Sequence, residues 1–469
     1  MTAFERVSFW LFGAVIALAP LPLASNRLWS WSLLGVMTGL LLLAWAVRRS
    51  LAADQEMCDL RPLLLPAVLM SGVIAFIAVQ ASCWTPLSWH HPVWQLVEHL
   101  PRRGTCPAIT LDRFATWTGL ARLLTYVGVF LLAFRFGQSG GRARAIVRIV
   151  ALSSAIYACY GLVLHFIGSD TIFWYDKWAY HDVVTGPFVN RNAFAVYVGM
   201  GAACNLAIVL QGCMDKLPTG NLGTRMRALL AGLLTERHVY LAGFTLCAMA
   251  TILTASRAGT AATVFGLCIL VIAAGVHYRI GWQGRTAGIA LIVVIVTGGA
   301  LLGGSRLLER LDMTSEHVDR RGLVIGTTLR AVPEHAFLGT GYGTFETAWT
   351  LIRPPRINRW FRQAHSTYAE NLLELGVPAA LTLFVAVAWP FVVCMRGLWR
   401  RRRNGLLPGV ALAAGMIPVV QSSLDFSLQM PAIVVVLAAL LGQGMAQSYP
   451  SQQGQKRRGA ARQTDPSTQ

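Results

Sequence analysis

Residues 365–394 read HSTYAENLLELGVPAALTLFVAVAWPFVVC. From Leu375 to Cys394 the run holds no charged residue, and about 20 apolar residues are what a helix needs to cross the hydrocarbon core of a bilayer. Ahead of that run stand one histidine and two carboxylates, Glu370 and Glu374, four apart on one helical face. Upstream, RPPRINRWFRQ (353–363) packs in four arginines. The stretch reads as a membrane helix with a basic mouth, and the sequence gives the carboxylates no role beyond helix-start electrostatics and packing.

Apolar runs of this kind recur along the whole chain. Its 469 residues are 55% hydrophobic and only 13% charged, with a mean hydropathy of +0.53; a soluble domain carries about a quarter charged residues. The runs predict helices at roughly 8–24, 28–47, 62–84, 114–135, 145–168, 190–211, 238–255, 258–278, 286–303, 367–394, 406–424 and 430–447. The fold class is therefore an all-α polytopic membrane protein, with about 12 transmembrane helices and a large exoplasmic loop between helices 9 and 10. Residues 1–303 carry helices 1–9, residues 304–366 the large loop with short helices, and residues 367–447 helices 10–12. The tail, 448–469, is polar and basic, a composition typical of disorder. The first span is read as retained: MTAFERVSFW is only weakly basic, and LAPLPLASN is a poor small-residue cleavage site.

The net charge is +19. Nucleic-acid binding is the tempting reading, but the charges sit in short loops between apolar runs, where they orient a membrane protein. With the N-terminus in the cytoplasm, inside segments hold 23 lysines and arginines. Outside segments hold seven, apart from nine arginines in the long loop. Long loops cross largely regardless of charge, so both termini are expected in the cytoplasm. Nine cysteines include no CxxC, and most lie inside spans as small packing residues. Cys83 and Cys106 fall in the outer loop 85–113 or at its base, where oxidising surroundings permit a disulfide; two free thiols are the alternative.

The outer face holds the unusual residues. Trp84, Trp89 and Trp94 stand near the interface. SDTIFWYDKWAYHDVVTGPFVNR (169–191) alternates rings with polar groups, as an interfacial aromatic belt does and as a surface that stacks on sugar faces does. The loop 304–366 sets nine arginines against six acidic residues. A helix is expected near 316–335, followed by the glycine-rich FLGTGYGTF (337–345), which permits close backbone approach to a ligand. Arg257, in TASRAG (254–259), sits at the outer tip between the seventh and eighth spans, either as a snorkelling or capping arginine or as part of an anion site. Arginine binds phosphate bidentately and keeps its charge. No DxD and no metal-ligand spacing occur, so no metal and no cofactor are expected. Fixed guanidinium groups can stabilise a departing pyrophosphate instead. His365, at the level of such a head group, suits a general base, or else a structural interfacial histidine.

Three segments carry a resemblance: TGPFVNRNAFAVYV (185–198), RRGLVIGTTLRAVPEHAFLGTGYGTF (320–345) and HSTYAENLLELGVPA (365–379). With the twelve expected spans and the large outer loop, the chain resembles the O-antigen ligase and polymerase superfamily of the bacterial envelope. That resemblance implies a multi-pass protein of the bacterial inner membrane that moves a glycan from undecaprenyl pyrophosphate to an acceptor at the periplasmic face. The acceptor is lipid A-core for a ligase and a second lipid-linked glycan for a polymerase. It also implies His365 as the base and Arg321 and Arg257 as pyrophosphate clamps, with Arg191 as a second-line candidate. The enzyme would be inverting and metal-independent, with membrane lipids around it and no nucleic acid as partner. Val324 and Ile325 stand where an apolar-tryptophan pair is common, and Ser366 replaces the frequent asparagine after the histidine.

Three rivals remain. A twelve-helix transporter fits the long inner loop 212–237, but the spans show almost no buried carboxylates for proton coupling. A protein O-oligosaccharyltransferase of the same superfamily often has a sizeable soluble C-terminal part, and only a short tail follows the last span here. A purely structural or assembly protein is the third.

Overall fold

The computed structural model describes residues 3–51, 60–96, 106–215, 237–290, 293, 314–355, 357, 359–401 and 404–450, with residues 314–320 described by their backbone alone. The main helices among them are α1 Ala3–Leu18, α2 Leu28–Leu51, α3 Leu64–Gln80, α4 Arg113–Gly137, α5 Gly140–Phe166, α6 Arg191–Met214, α7 His238–Leu253, α8 Arg257–His277, α9 Thr314–Ala331, α10 Phe345–Ile352, α11 Thr367–Arg400, α12 Leu406–Gln421 and α13 Pro431–Ser448. The strands among the described residues are a two-residue antiparallel pair, Thr171–Ile172 with Tyr175–Asp176.

Eight helices among the described residues are long and apolar enough to cross a membrane, and α7 and α12 are shorter apolar helices. This is an all-α, multi-pass membrane protein. The expected ninth span, 286–303, lies mostly outside the described residues, as do 304–313 of the long loop and the tail after Pro450.

Burial sorts the helices into layers. α6 and α13 are the most enclosed spans, while α2 and α3 leave most of their surface open. Leu33, Val36, Leu40 and Leu43 of α2 are exposed at a spacing of three to four residues, a single stripe suited to lipid. Small residues let the inner helices touch. A methyl group added to Gly137 of α4 would strike the backbone of Gln443 in α13, and one on Gly442 would strike that of Phe130. α1 belongs to this bundle: Phe12 and Ile16 are fully buried, and Glu5 meets Arg135 at 3.0 Å and Arg142 at 3.1 Å.

Helix ends follow local chemistry. α1 stops at Leu18, short of the expected residue 24, because Pro20 and Pro22 follow. α11 runs six residues past the expected 394, and it is broken at Gly376, whose φ of 72° and ψ of 163° only glycine adopts readily. At the end of the bundle where α11 begins, Leu111, Val324, Phe345, Trp349, Ala364 and Leu373 bury one another in a small separate core. Cys83 and Cys106 are joined there as a disulfide, Cα to Cα 5.7 Å.

Candidate functional site

Three helices begin at one place. Asn190 caps α6, its side chain accepting the N–H groups of Asn192 (2.7 Å) and Ala193 (3.2 Å). Ser256 caps α8 through the Gly259 N–H (3.2 Å). Ser366 caps α11 through the Ala369 N–H (3.4 Å). Serine and asparagine suit this position because a short side-chain oxygen reaches a free amide of the first turn. Arg191 and Arg257 immediately follow two of these caps, and His365 immediately precedes the third. Each N-terminus also carries a partial positive charge from its aligned peptide dipoles.

A chain of buried polar groups ties the three together, with Asp425 at its centre. This aspartate sits between α12 and α13 and is almost fully buried. Its Oδ2 accepts the side-chain N–H of Asn192 and, at 3.3 Å, that of Gln421. Its Oδ1 accepts the backbone N–H of Phe426 at 2.9 Å and faces His365 Nδ1 at 3.6 Å. Asn192 Oδ1 in turn accepts the Ser256 hydroxyl at 2.7 Å. The Thr367 N–H donates to the Ser422 carbonyl at 3.0 Å, which pins the start of α11 beside the aspartate. Burial raises the Asp425 carboxyl, but the His365 imidazole, the Arg321 charge and the Phe426 amide outweigh it and hold the group below the ordinary carboxylate range.

His365 is held in a left-handed turn, φ 56°, an uncommon conformation for a residue other than glycine. Its ring lies between Phe361 (5.9 Å) and Phe426 (5.5 Å). At 3.6 Å the pairing with Asp425 is an electrostatic contact rather than a close hydrogen bond. The Nδ1 atom is buried and the side chain is 20% exposed, so the open part of the ring lies away from the aspartate. A carboxylate at Nδ1 favours the tautomer with its proton there, leaving Nε2 as the proton acceptor.

The arginines gather unequally. Arg321, half-buried on α9, acts on both Asp425 and Tyr180. Arg191 lies over the Tyr180 ring at 5.5 Å. Burial, then the Asp425 charge, push the Tyr180 hydroxyl up against the opposing pull of Arg321 and Arg191. Arg257 is exposed, one residue from Ser256. In the long loop, Arg362 pairs instead with Glu346 at 3.4 Å. Among the described residues no group of three or more histidine, cysteine, aspartate or glutamate side chains is placed to hold a metal ion.

Glu370 and Glu374 do more than the sequence reading gave them. Both are buried. Glu370 accepts the Ala364 N–H at 2.8 Å and so fixes the residue before His365. Glu374 accepts the N–H groups of Gly343 (2.9 Å) and Phe345 (2.7 Å). The glycine-rich turn therefore approaches the chain itself: a Cβ on Gly339 would collide with the Glu374 carbonyl. Gln80 of α3 closes the knot, donating to the carbonyls of Leu338 (2.7 Å) and Glu374 (2.9 Å).

The structure thus brings His365, Arg321 and Arg191 into one cluster and sets Arg257 at its edge. Sequence reasoning missed Asp425, Asn192, Ser256 and Tyr180. One signal was available: Asp425 is the single acidic residue between Glu374 and Asp465, at a turn between two spans, where an isolated carboxylate calls for a functional explanation.

Residues 242–384 match the family described as O-Antigen ligase. No curated protein matches the chain. The matched segment runs from α7 into α11 and contains Arg257, Arg321, His365, Glu370 and Glu374; Arg191, Asn192 and Asp425 lie outside it and reach the cluster through the fold. Residues 242–384 are thus a segment similar to the O-antigen ligase family.

Proposed function

We propose that the protein transfers a glycan from undecaprenyl pyrophosphate to a hydroxyl of lipid A-core at the periplasmic face of the bacterial inner membrane. The observation that supports it is the convergence of three capped helix N-termini on the His365–Asp425 pair, with Arg321 acting on Asp425 and Arg191 lying over the neighbouring Tyr180. Such N-termini favour anions, and guanidinium groups match phosphate oxygens. His365 Nε2 takes the proton of the acceptor hydroxyl. The freed oxygen attacks the anomeric carbon while the bond from that carbon to pyrophosphate breaks, so the anomeric centre inverts. Arg321 and Arg257, with Arg191 behind them, stabilise the charge growing on the departing undecaprenyl pyrophosphate. Asp425 stabilises the imidazolium that forms. The charge on the leaving group is met by arginine, with no metal and no cofactor needed. The twelve-span count, the periplasmic placement of 304–366 and the cytoplasmic placement of both termini belong to this reading and rest on the charge bias.

The test is transfer in proteoliposomes loaded with lipid-linked glycan. His365→Ala is expected to lose about 10²–10⁴ in rate, the usual share of a general base. Arg321→Ala loses rate with little change in protein stability. Wild-type transfer by either variant overturns the assignment. In a deletion strain, loss of all polymer from lipid A-core supports the ligase; core carrying one repeat shows a polymerase instead.

A further inference from the structure

The loop between α5 and α6 carries a surface that the transfer chemistry does not use. Trp174 is 74% exposed and Trp178 54%, with Tyr175 open between them. The loop beneath is firmly braced. Phe173 stacks on Tyr160 of α5 with ring centroids 4.8 Å apart and planes at 10°, and its N–H donates to the Tyr160 hydroxyl at 2.6 Å. Lys177 donates its backbone N–H to the Asp170 carbonyl at 2.8 Å and its Nζ to the Val183 carbonyl at 3.2 Å. Phe173, Tyr180 and Asp182 hold positive φ of 55°, 59° and 62°; a backbone of this kind persists only where its surroundings over-determine it.

Rings at a bilayer interface need no such bracing, and the neighbours here are wrong for lipid. Exposed Asp176 and Asp182 alternate with the rings, and a membrane surface that is anionic repels carboxylates. A sugar ring has the complementary pattern. Its C–H face packs on an aromatic ring, and its hydroxyls donate to carboxylate oxygens. The surface is also continuous with the cluster around His365. Two residues past Trp178, Tyr180 lies under Arg191 and within the field of Asp425 and Arg321.

We infer that Trp174 and Trp178, with Asp176 and Asp182 between and beyond them, form a platform for the sugar chain of a glycan substrate and lead it past Tyr180 to His365. The kind of ligand rests on the transfer reading above; the role of His365 does not enter. The test is hydroxyl-radical footprinting of the full chain in nanodiscs, read at individual tryptophans by mass spectrometry. The probes are lipid-linked glycan extracted from the cells that make the protein, polymer-free lipid A-core from the same cells, and undecaprenyl pyrophosphate without sugar. Trp174 and Trp178 should oxidise in the bare nanodisc and be protected by one of the two glycans but not by the sugar-free lipid. The protecting glycan shows whether donor or acceptor lies there. Resistance to oxidation in the bare nanodisc means lipid covers the rings and overturns the inference, as does oxidation that neither glycan reduces. His365→Ala protein should show the same protection, so a failed catalytic assignment leaves this result readable. The double variant Trp174→Ala/Trp178→Ala should raise KM for the protecting glycan about tenfold, the scale of losing two stacking contacts, with rate recovered at saturation. An unchanged KM also overturns it.

Discussion

Replacing Asp425 with asparagine tests the proposed chemistry most directly, because the side chain keeps its shape and loses its charge. Asp425 Oδ1 stands 3.6 Å from His365 Nδ1. Opposite unit charges at that separation attract by about 4.6 kcal/mol at an effective dielectric of about 20. In the proposed mechanism the imidazole gains its charge with the acceptor's proton, so this attraction acts on the transition state and not on substrate binding. The charge spreads over the ring, and a fifth of the side chain is open to solvent, so about half of that figure remains. At 1.36 kcal/mol per tenfold, about 2.3 kcal/mol corresponds to a drop of about fiftyfold in kcat with KM nearly unchanged. Stability falls as well. The two carboxylate oxygens serve Asn192 and Gln421 on one side and Phe426 on the other. An amide offers only one oxygen, and a buried donor left without a partner costs about 1–3 kcal/mol. Transfer in proteoliposomes is therefore measured beside the melting temperature in detergent. The Asp425 carboxyl is held below its ordinary range, so its contribution is complete above about pH 4 and is lost only as pH falls through the lowered value; assays from pH 5 to 8 read the charge and not its titration. Asp425→Asn protein that melts lower but turns over at the wild-type rate would show that the Asp425 charge plays no part in transfer.

Three further outcomes follow from other contacts. Glu374→Gln leaves the Gly343 or Phe345 N–H unsatisfied in a buried place, so it should destabilise by about 1–3 kcal/mol, and an unchanged melting temperature would show that these two bonds do not hold the glycine-rich turn. Burial and the charge of His335 hold the pKa of His91 down to about 4, and its Nδ1 accepts the Val93 N–H at 3.2 Å. Between about pH 6.5 and 4 the unfolded chain binds a proton that the folded chain refuses, so stability falls as pH falls through that window. His91→Phe should flatten this dependence, and an equal slope in both proteins would rule the pair out. The Cys83–Cys106 bond closes a separation of 23 residues, worth about 3.4 kcal/mol of unfolded-state entropy. Cys83→Ser/Cys106→Ser should melt where reduced wild type melts, and an oxidised protein no more stable than the reduced one would remove the bond from the account.

The helices were legible because apolar runs interrupted by arginines admit few other readings. α6, expected at 190–211, runs Arg191–Met214, and α13, expected at 430–447, runs Pro431–Ser448. The break in α11 was not legible, since glycine at 376 looks like any small residue in a span until its φ of 72° is seen. His365 stood out in the sequence because a titratable side chain at the mouth of a span needs a reason, whereas Arg321 and Arg191 were singled out only through the resemblance of the segments around them. Asp425 was not legible, because beyond Gln421, four residues away, its partners come from α6 and the turn before α11, far off in sequence. The glycine-rich turn misled for the opposite reason. Glycine marks close approach of something to the backbone, and here the something is Glu374 of the same chain.

The burial of Asp425 itself argues for a role beyond stability. A carboxylate withdrawn from water needs nearly all its oxygen sites filled, and here Asn192, Gln421 and the Phe426 amide fill them. Buried charges so arranged are weak contributors to folding, since apolar side chains of similar volume often stabilise as well or better. The one neighbour that does not complete a hydrogen bond is His365, 3.6 Å away, whose buried Nδ1 has no hydrogen-bond partner among the described residues. Catalytic hydrogen bonds are commonly long in the unliganded state and tighten when the reacting group arrives. A fully satisfied aspartate facing an unsatisfied imidazole is what a pair poised for proton transfer looks like, because the gap closes only when His365 gains the charge that draws it toward Asp425.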